Sequence, residues 1–119
     1  MKKPMATSEN IVQWDIVVIP FPYTDRLAEK RRPALVISKP SALKDCGLLW
    51  VAMITSAENE GWPSDIEIGN RAKAGLSSPS VIRLVKIATI EAERVLRKIG
   101  SIGSAEKRAV KTALSKILD

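Results

Sequence analysis

Apolar, β-branched residues recur along the chain in short runs, each closed by proline, glycine or a polar cluster. Trp14-Asp15-Ile16-Val17-Val18-Ile19-Pro20 predicts a first strand ended by its proline. Residues 33–38 predict a second, broken at Lys39-Pro40-Ser41, with a short turn of helix over 41–46. Leu48 to Thr55 is almost wholly apolar, which suits a strand buried on both faces and leaves a buried helix open on periodicity alone. Asp65-Ile66-Glu67-Ile68 alternates and predicts a half-exposed strand. Ser80 to Ile90 predicts a longer strand or a bent strand pair, 91–94 a turn, and 95–102 a last strand. On an unbroken phase, Val81, Arg83, Val85 and Ile87 share one face, and Ile82, Leu84, Lys86 and Ala88 the other. Ser104 then reads as a helix N-cap with Glu106 in the first turn, and Val110, Ala113, Leu114 and Ile117 form an apolar stripe. Residues 1–13 read as a loose arm with a helical turn near Ser8-Glu9-Asn10, and 21–32, 57–64 and 69–79 as loops. The sum is one domain over 1–119, mainly β with a C-terminal helix over 104–118. A small, strongly bent sheet or barrel, one open end closed by the helix, is the architecture expected.

Composition narrows the partner. With 27% charged and 45% hydrophobic residues the chain is globular rather than disordered. Nineteen Lys+Arg against thirteen Asp+Glu leave a net charge of +6, which points to a polyanion, nucleic acid being the commonest. The excess is clustered: Arg26, Lys30, Arg31, Arg32, Lys39 and Lys44 face only Glu29 in that span. A single cysteine, Cys46, excludes an intramolecular disulfide and reads as a turn residue. With no histidine to activate it, Cys46 is a poor nucleophile, and the same count disfavours a zinc centre. No run reaches the length of a membrane span and Met1-Lys2-Lys3-Pro4 leads into no signal core, so a soluble, cytoplasmic protein without a membrane partner is expected.

The candidate chemistry gathers at two strand ends. Lys30-Arg31-Arg32 runs straight into Pro33, whose ring restricts the backbone of Arg32 and makes it a rigid phosphate grip at a strand mouth. A solvated edge is the plainer reading of three such charges. Thr55-Ser56 places hydroxyls where the apolar third run stops, suited to substrate contact or to satisfying backbone groups. Arg83 falls on a largely apolar face, which demands a cleft or a partner such as Glu67 or Glu93. Phe21 and Tyr23 are expected to pack on the core rather than stack on a base. Trp50 is expected in the core, while Trp14 and Trp62 sit at loop boundaries with no chemistry assigned.

Taken in order, Asp15 to Asp25 (DIVVIPFPYTD), Arg31-Arg32-Pro33-Ala34-Leu35-Val36, Ile54-Thr55-Ser56, Ser80 to Leu84 (SVIRL), Lys86-Ile87-Ala88-Thr89 and Leu96-Arg97-Lys98-Ile99-Gly100 resemble the MazF/PemK family, the toxins of type II toxin–antitoxin systems. The resemblance runs from about residue 14 to the end of the chain. It implies an SH3-like barrel of the CcdB-like toxin type, a homodimer, and RNA bound in grooves at the subunit interface. It further implies metal-independent, cofactor-free, sequence-specific cleavage of single-stranded RNA, leaving a cyclic phosphate and a 5′-hydroxyl. A cognate antitoxin would lay a tail across the same groove. Arg32 matches the arginine of the family's Arg-Pro motif and Thr55 the hydroxyl residue ending the third strand, the pair beside the scissile phosphate. Arg83 matches an arginine that some members use in phosphate contact or catalysis. Ser56 stands next to Thr55 as an RNA contact, and Lys30 and Arg31 add general attraction.

Two positions depart from the pattern. Val85 stands where many members carry an acidic or amide residue, and Leu27 where some carry Glu-Gln in the first loop. Asp25 and Glu29 lie near the latter without matching it, so no general base is assigned. Two other readings therefore stay open: a gyrase-binding toxin without enzymatic activity, and a catalytically decayed RNA-binding relative.

Overall fold

The computed structural model describes residues 10–20 and 30–119; the expectations for residues 1–9 and for 21–29, with Phe21, Tyr23, Asp25, Arg26, Leu27 and Glu29, lie outside them. The β-branched runs pair into one antiparallel sheet. Its strands are β1 (Asp15–Pro20), β2 (Arg31–Val36), β3 (Leu48–Ser56), β4 (Asp65–Glu67), β5 (Ser80–Glu91) and β6 (Arg97–Ser101), in the order β4-β5-β3-β2-β1-β6. Two single-turn helices, α1 (Pro40–Leu43) and α2 (Arg71–Ala74), interrupt the strands, and α3 (Ser104–Leu118) ends the chain. Short 3₁₀ turns occupy Lys44–Cys46 and Ala92–Arg94. None of the described helices is long and apolar enough to cross a membrane.

Strand alternation gives the sheet two buried faces. Val17, Ile19, Ala34, Val36, Val51 and Met53 pack on one face. Ile16, Leu35, Ala52 and Ile54 lie on the other, beneath Val110 of α3. The third strand is thus buried on both sides from Val51 to Thr55, as its apolar run required.

The long strand β5 is bent rather than in one phase. Opposite β3, Ile87 pairs with Ala52 but Arg83 pairs with Met53, so residues 84–86 bulge out of the ladder. The bulge inverts the alternation: Ile82 and Leu84 join one core cluster and Ile90 the other. Arg83 and Ile87 therefore do not share a face, which corrects the unbroken assignment.

Other expectations are corrected by packing. Ile11 is buried against Val17 and Val36, so the arm is anchored from there on. Gln13 Nε2 donates to the Ile37 carbonyl at 2.8 Å, and Asp15 accepts from the Val12 N–H at 2.8 Å and pairs with Lys98 at 3.3 Å. Trp50 is 49% exposed rather than in the core, because α3 ends in an open groove beside it. The 69–79 loop contains α2, capped by the Asn70 side chain accepting from Lys73 N–H at 3.1 Å and closed by Gly75 in the left-handed region. It backs onto β6 so closely that a Cβ on Gly100 would collide with the Ala74 carbonyl.

Helix α3 starts one residue earlier than an N-cap at Ser104 would place it. Gly103 is its N-cap, Ser104 its first residue, and the cap is closed by Glu106. The Glu106 carboxylate accepts from the N–H groups of Gly103 at 3.0 Å, Gly69 at 2.9 Å and Asn70 at 3.2 Å, tying the helix to the β4–α2 loop. Burial alone would raise its pKa, but the N–H donors of Asn70, Gly69 and Gly103 outweigh that and hold it below the ordinary value. A depressed carboxyl stabilises the fold above its unfolded pKa and loses that contribution as the pH falls through its folded one. Glu106→Gln is expected to lose on the order of 1–3 kcal/mol at neutral pH, with wild type and variant converging in acid; urea unfolding across pH reads both.

Candidate functional site

The site begins with a missing donor. Pro33 has no N–H, and although the β1–β2 ladder runs past it to Pro20 opposite Arg31, the β2–β3 ladder ends at Ala34 opposite Met53. Beyond that point β3 continues to pair with β5, as far as Ser56 opposite Ser80. The two central strands diverge, and a cleft of about 250 Å³ opens between them. Arg32 and Pro33 form one wall, Ile54, Thr55 and Ser56 another, and Leu76, Ser77, Ser78 and Ser80 the third. Two stretches 22 positions apart in sequence, each singled out by residue type, thus face one cavity.

Thr55 is buried at 6% exposure, yet it lines the cleft. Its Oγ1 accepts from Asn59 Nδ2 at 2.7 Å. The chain turns tightly there: Ser56 Oγ accepts from Glu58 N–H at 3.1 Å and the Ser56 carbonyl from Asn59 N–H at 3.1 Å. Ser80 Oγ donates to the Ser78 carbonyl at 3.0 Å, fixing the third wall. Arg32 is half-buried and has no ion-pair partner among the described residues, so its planar fork is available to an anion. Lys30 and Arg31 are exposed at the same strand mouth and do not line the cleft. The serines of the third wall were not singled out in the sequence; the Ser-rich tract 77–80 was the signal available.

Arg83 does not line this cleft. It is 6% exposed and donates from Nε to Asp65 Oδ1 at 3.2 Å, and from one terminal nitrogen to Asp65 Oδ2 at 2.9 Å and the Glu60 carbonyl at 2.7 Å. Its guanidinium lies 4.2 Å from the centroid of the Trp62 ring, with Lys86 at 5.2 Å. The partner is Asp65, directly opposite on β4, rather than Glu67 or Glu93. The hydrogen bond to Asp65 pushes the arginine further up. Burial would raise the Asp65 carboxyl, but the Arg83 hydrogen bond, the Trp62 N–H and the guanidinium charge together bring it down. The cluster is a clamp on the 57–64 loop.

A half-buried arginine sharing a cleft with a threonine and several serines, with no carboxylate among the described lining residues, has the chemistry to hold an anion. A family model for PemK-like, MazF-like toxins of type II toxin–antitoxin systems matches residues 12–118. The chain belongs to this family. Among solved structures, Mycobacterium tuberculosis toxin MazF-mt6 is similar with a TM-score of 0.70 at 23% identity, over 88% of this chain and 96% of that one. MazF from Deinococcus radiodurans is similar with a TM-score of 0.71 at 20% identity, over 91% and 96%. A mycobacterial endoribonuclease in complex with its cognate antitoxin gives 0.71 at 15% identity, over 91% and 94%. At those identities the likeness is one of fold, an antiparallel sheet with a C-terminal helix of the MazF/PemK toxin type. No curated protein matches the chain.

Proposed function

We propose that this MazF/PemK-family chain is an endoribonuclease toxin that cleaves single-stranded RNA through attack of the RNA's own 2′-OH. The observation that carries the reading is the shared cleft of Arg32 and Thr55. In the reaction the 2′-oxygen bonds to phosphorus, the phosphorane collapses, and the P–O5′ bond breaks to leave a cyclic phosphate and a 5′-hydroxyl. Arg32 donates to the non-bridging oxygens as their charge rises, and Thr55 donates a hydrogen bond to the phosphate or orients the attacking hydroxyl. The 2′-OH proton passes to a carboxylate, an arginine or water, and the leaving oxygen takes a proton in turn. Positioning and fixed charge thus do most of the work, and DNA is no substrate. Lys30 and Arg31 attract the backbone, while Arg83 acts through the loop it holds.

Primer-extension mapping of a long RNA digested by wild type and by Arg32→Ala tests this. Discrete cuts with wild type alone support it; RNA left intact by both overturns it. DNA breaks with intact mRNA in arrested cells would move the protein to the gyrase-poison class.

The same reading includes an antitoxin tail over the cleft and a second copy of this chain. The surface that fits the copy is an apolar groove of about 550 Å³ walled by Trp50, Ile87, Leu114, Ile117 and Leu118. Exposed apolar groups so concentrated are unusual on a monomer. Trp50→Glu is expected to convert a dimer to a monomer, weakening association by more than about tenfold; light scattering after size exclusion checks it.

A further inference from the structure

The hydroxyl at the centre of the site is not free to choose its direction. A threonine hydroxyl has one proton and two acceptor directions, and one of the latter is taken by Asn59 Nδ2 at 2.7 Å. No group among the described residues accepts the Thr55 proton. With the Asn59 amide N–H filling one acceptor direction of Oγ1, the hydroxyl proton turns away from Asn59, in a residue that lines the cleft. Asn59 is itself exposed on the turn that follows β3, so its amide contributes nothing to the core. The turn is held at both ends. Ser56 anchors its start through two hydrogen bonds, and Arg83 holds the next carbonyl, that of Glu60, at 2.7 Å.

We propose that Asn59 is a positioning residue: its amide fixes the Thr55 hydroxyl with its proton aimed at the scissile phosphate. The inference rests on the nuclease reading and names a residue that this reading does not require. An asparagine that only closed the turn would affect folding and nothing else. One that orients Thr55 affects the chemical step, and only while the threonine hydroxyl is present.

The test is a double-mutant cycle of Asn59→Ala and Thr55→Ala. It reads single-turnover cleavage of an oligoribonucleotide carrying a mapped site, and affinity for the same oligomer with a 2′-deoxy residue at the cut. Asn59→Ala is expected to slow cleavage by roughly 10- to 100-fold with affinity held within about twofold. In the Thr55→Ala background it is expected to cause no further loss, since groups acting as a unit are not additive. Asn59→Asp keeps the shape without the donor and takes the place of the alanine variant should the latter lose its thermal transition. An unchanged rate, an equal loss with and without the Thr55 hydroxyl, or a loss confined to affinity overturns the inference while wild-type cleavage leaves the nuclease reading standing. RNA left intact by wild type overturns both.

Discussion

Arg32→Ala is expected to lower single-turnover RNA cleavage by roughly 10²–10³-fold, the loss seen when one preorganised donor to a developing oxyanion is removed. The guanidinium sits where the β2–β3 ladder stops, half-buried and without an ion-pair partner among the described residues. Its removal leaves no charge unpaired among the described residues, so the thermal transition should stay within a few degrees of wild type. Arg32→Lys is expected to recover only part of the rate, because an ammonium is a point charge and cannot bridge two phosphate oxygens. Replacing Lys30 or Arg31 should act differently, weakening RNA affinity and reducing its salt dependence by about one counterion each, with the chemical step unchanged. Cleavage by Arg32→Ala at the wild-type rate would remove the central claim, whatever the affinity.

Why this cleft was legible in the sequence, and its surroundings were not, follows from the range of the interactions. Pro33 acts on its immediate neighbours, so a rigid arginine at a strand mouth can be read locally; so can hydroxyls that end an apolar strand. That the two face each other depends on which strands neighbour in the sheet, and the resemblance to the family supplied that expectation. Arg83 shows where local reading stops. Its burial and need of a partner follow from alternation, but the partner Asp65 lies 18 positions away and is chosen by the β4–β5 register. The bulge at 84–86 then breaks the phase that placed Arg83 beside Ile87. Glu106 reads as a favourable charge at a helix start; its bonds to Gly69 and Asn70 come from tertiary packing. Trp50 fails for the opposite reason. Its apolar run says core, and only the end of α3 decides that its face of the sheet is left open.

Arg83→Met is expected to destabilise the fold by about 3–5 kcal/mol, because it strands the Asp65 carboxylate rather than merely deleting a contact. Both side chains are largely withdrawn from solvent, at 7% and 11% exposure, so solvent screening does not soften the loss. The Glu60 carbonyl and one neighbour of the Trp62 ring are lost together. Asp65→Asn in the same chain should restore part of the stability by removing the stranded charge, which a role for Arg83 on RNA alone does not predict. The pH dependence has a fixed sign. Asp65 titrates below its ordinary value in the fold, so the pair's contribution is full above the unfolded aspartate pKa and fades as the pH falls through the folded one. Wild type and Arg83→Met should therefore approach each other in acid, read as urea midpoints. Because the clamp holds the loop that carries Asn59, the double variant Arg83→Met/Asp65→Asn should remain folded yet cleave more slowly than wild type. Its remaining deficit should again vanish when the Thr55 hydroxyl is absent, since the loop reaches the chemistry only through that group.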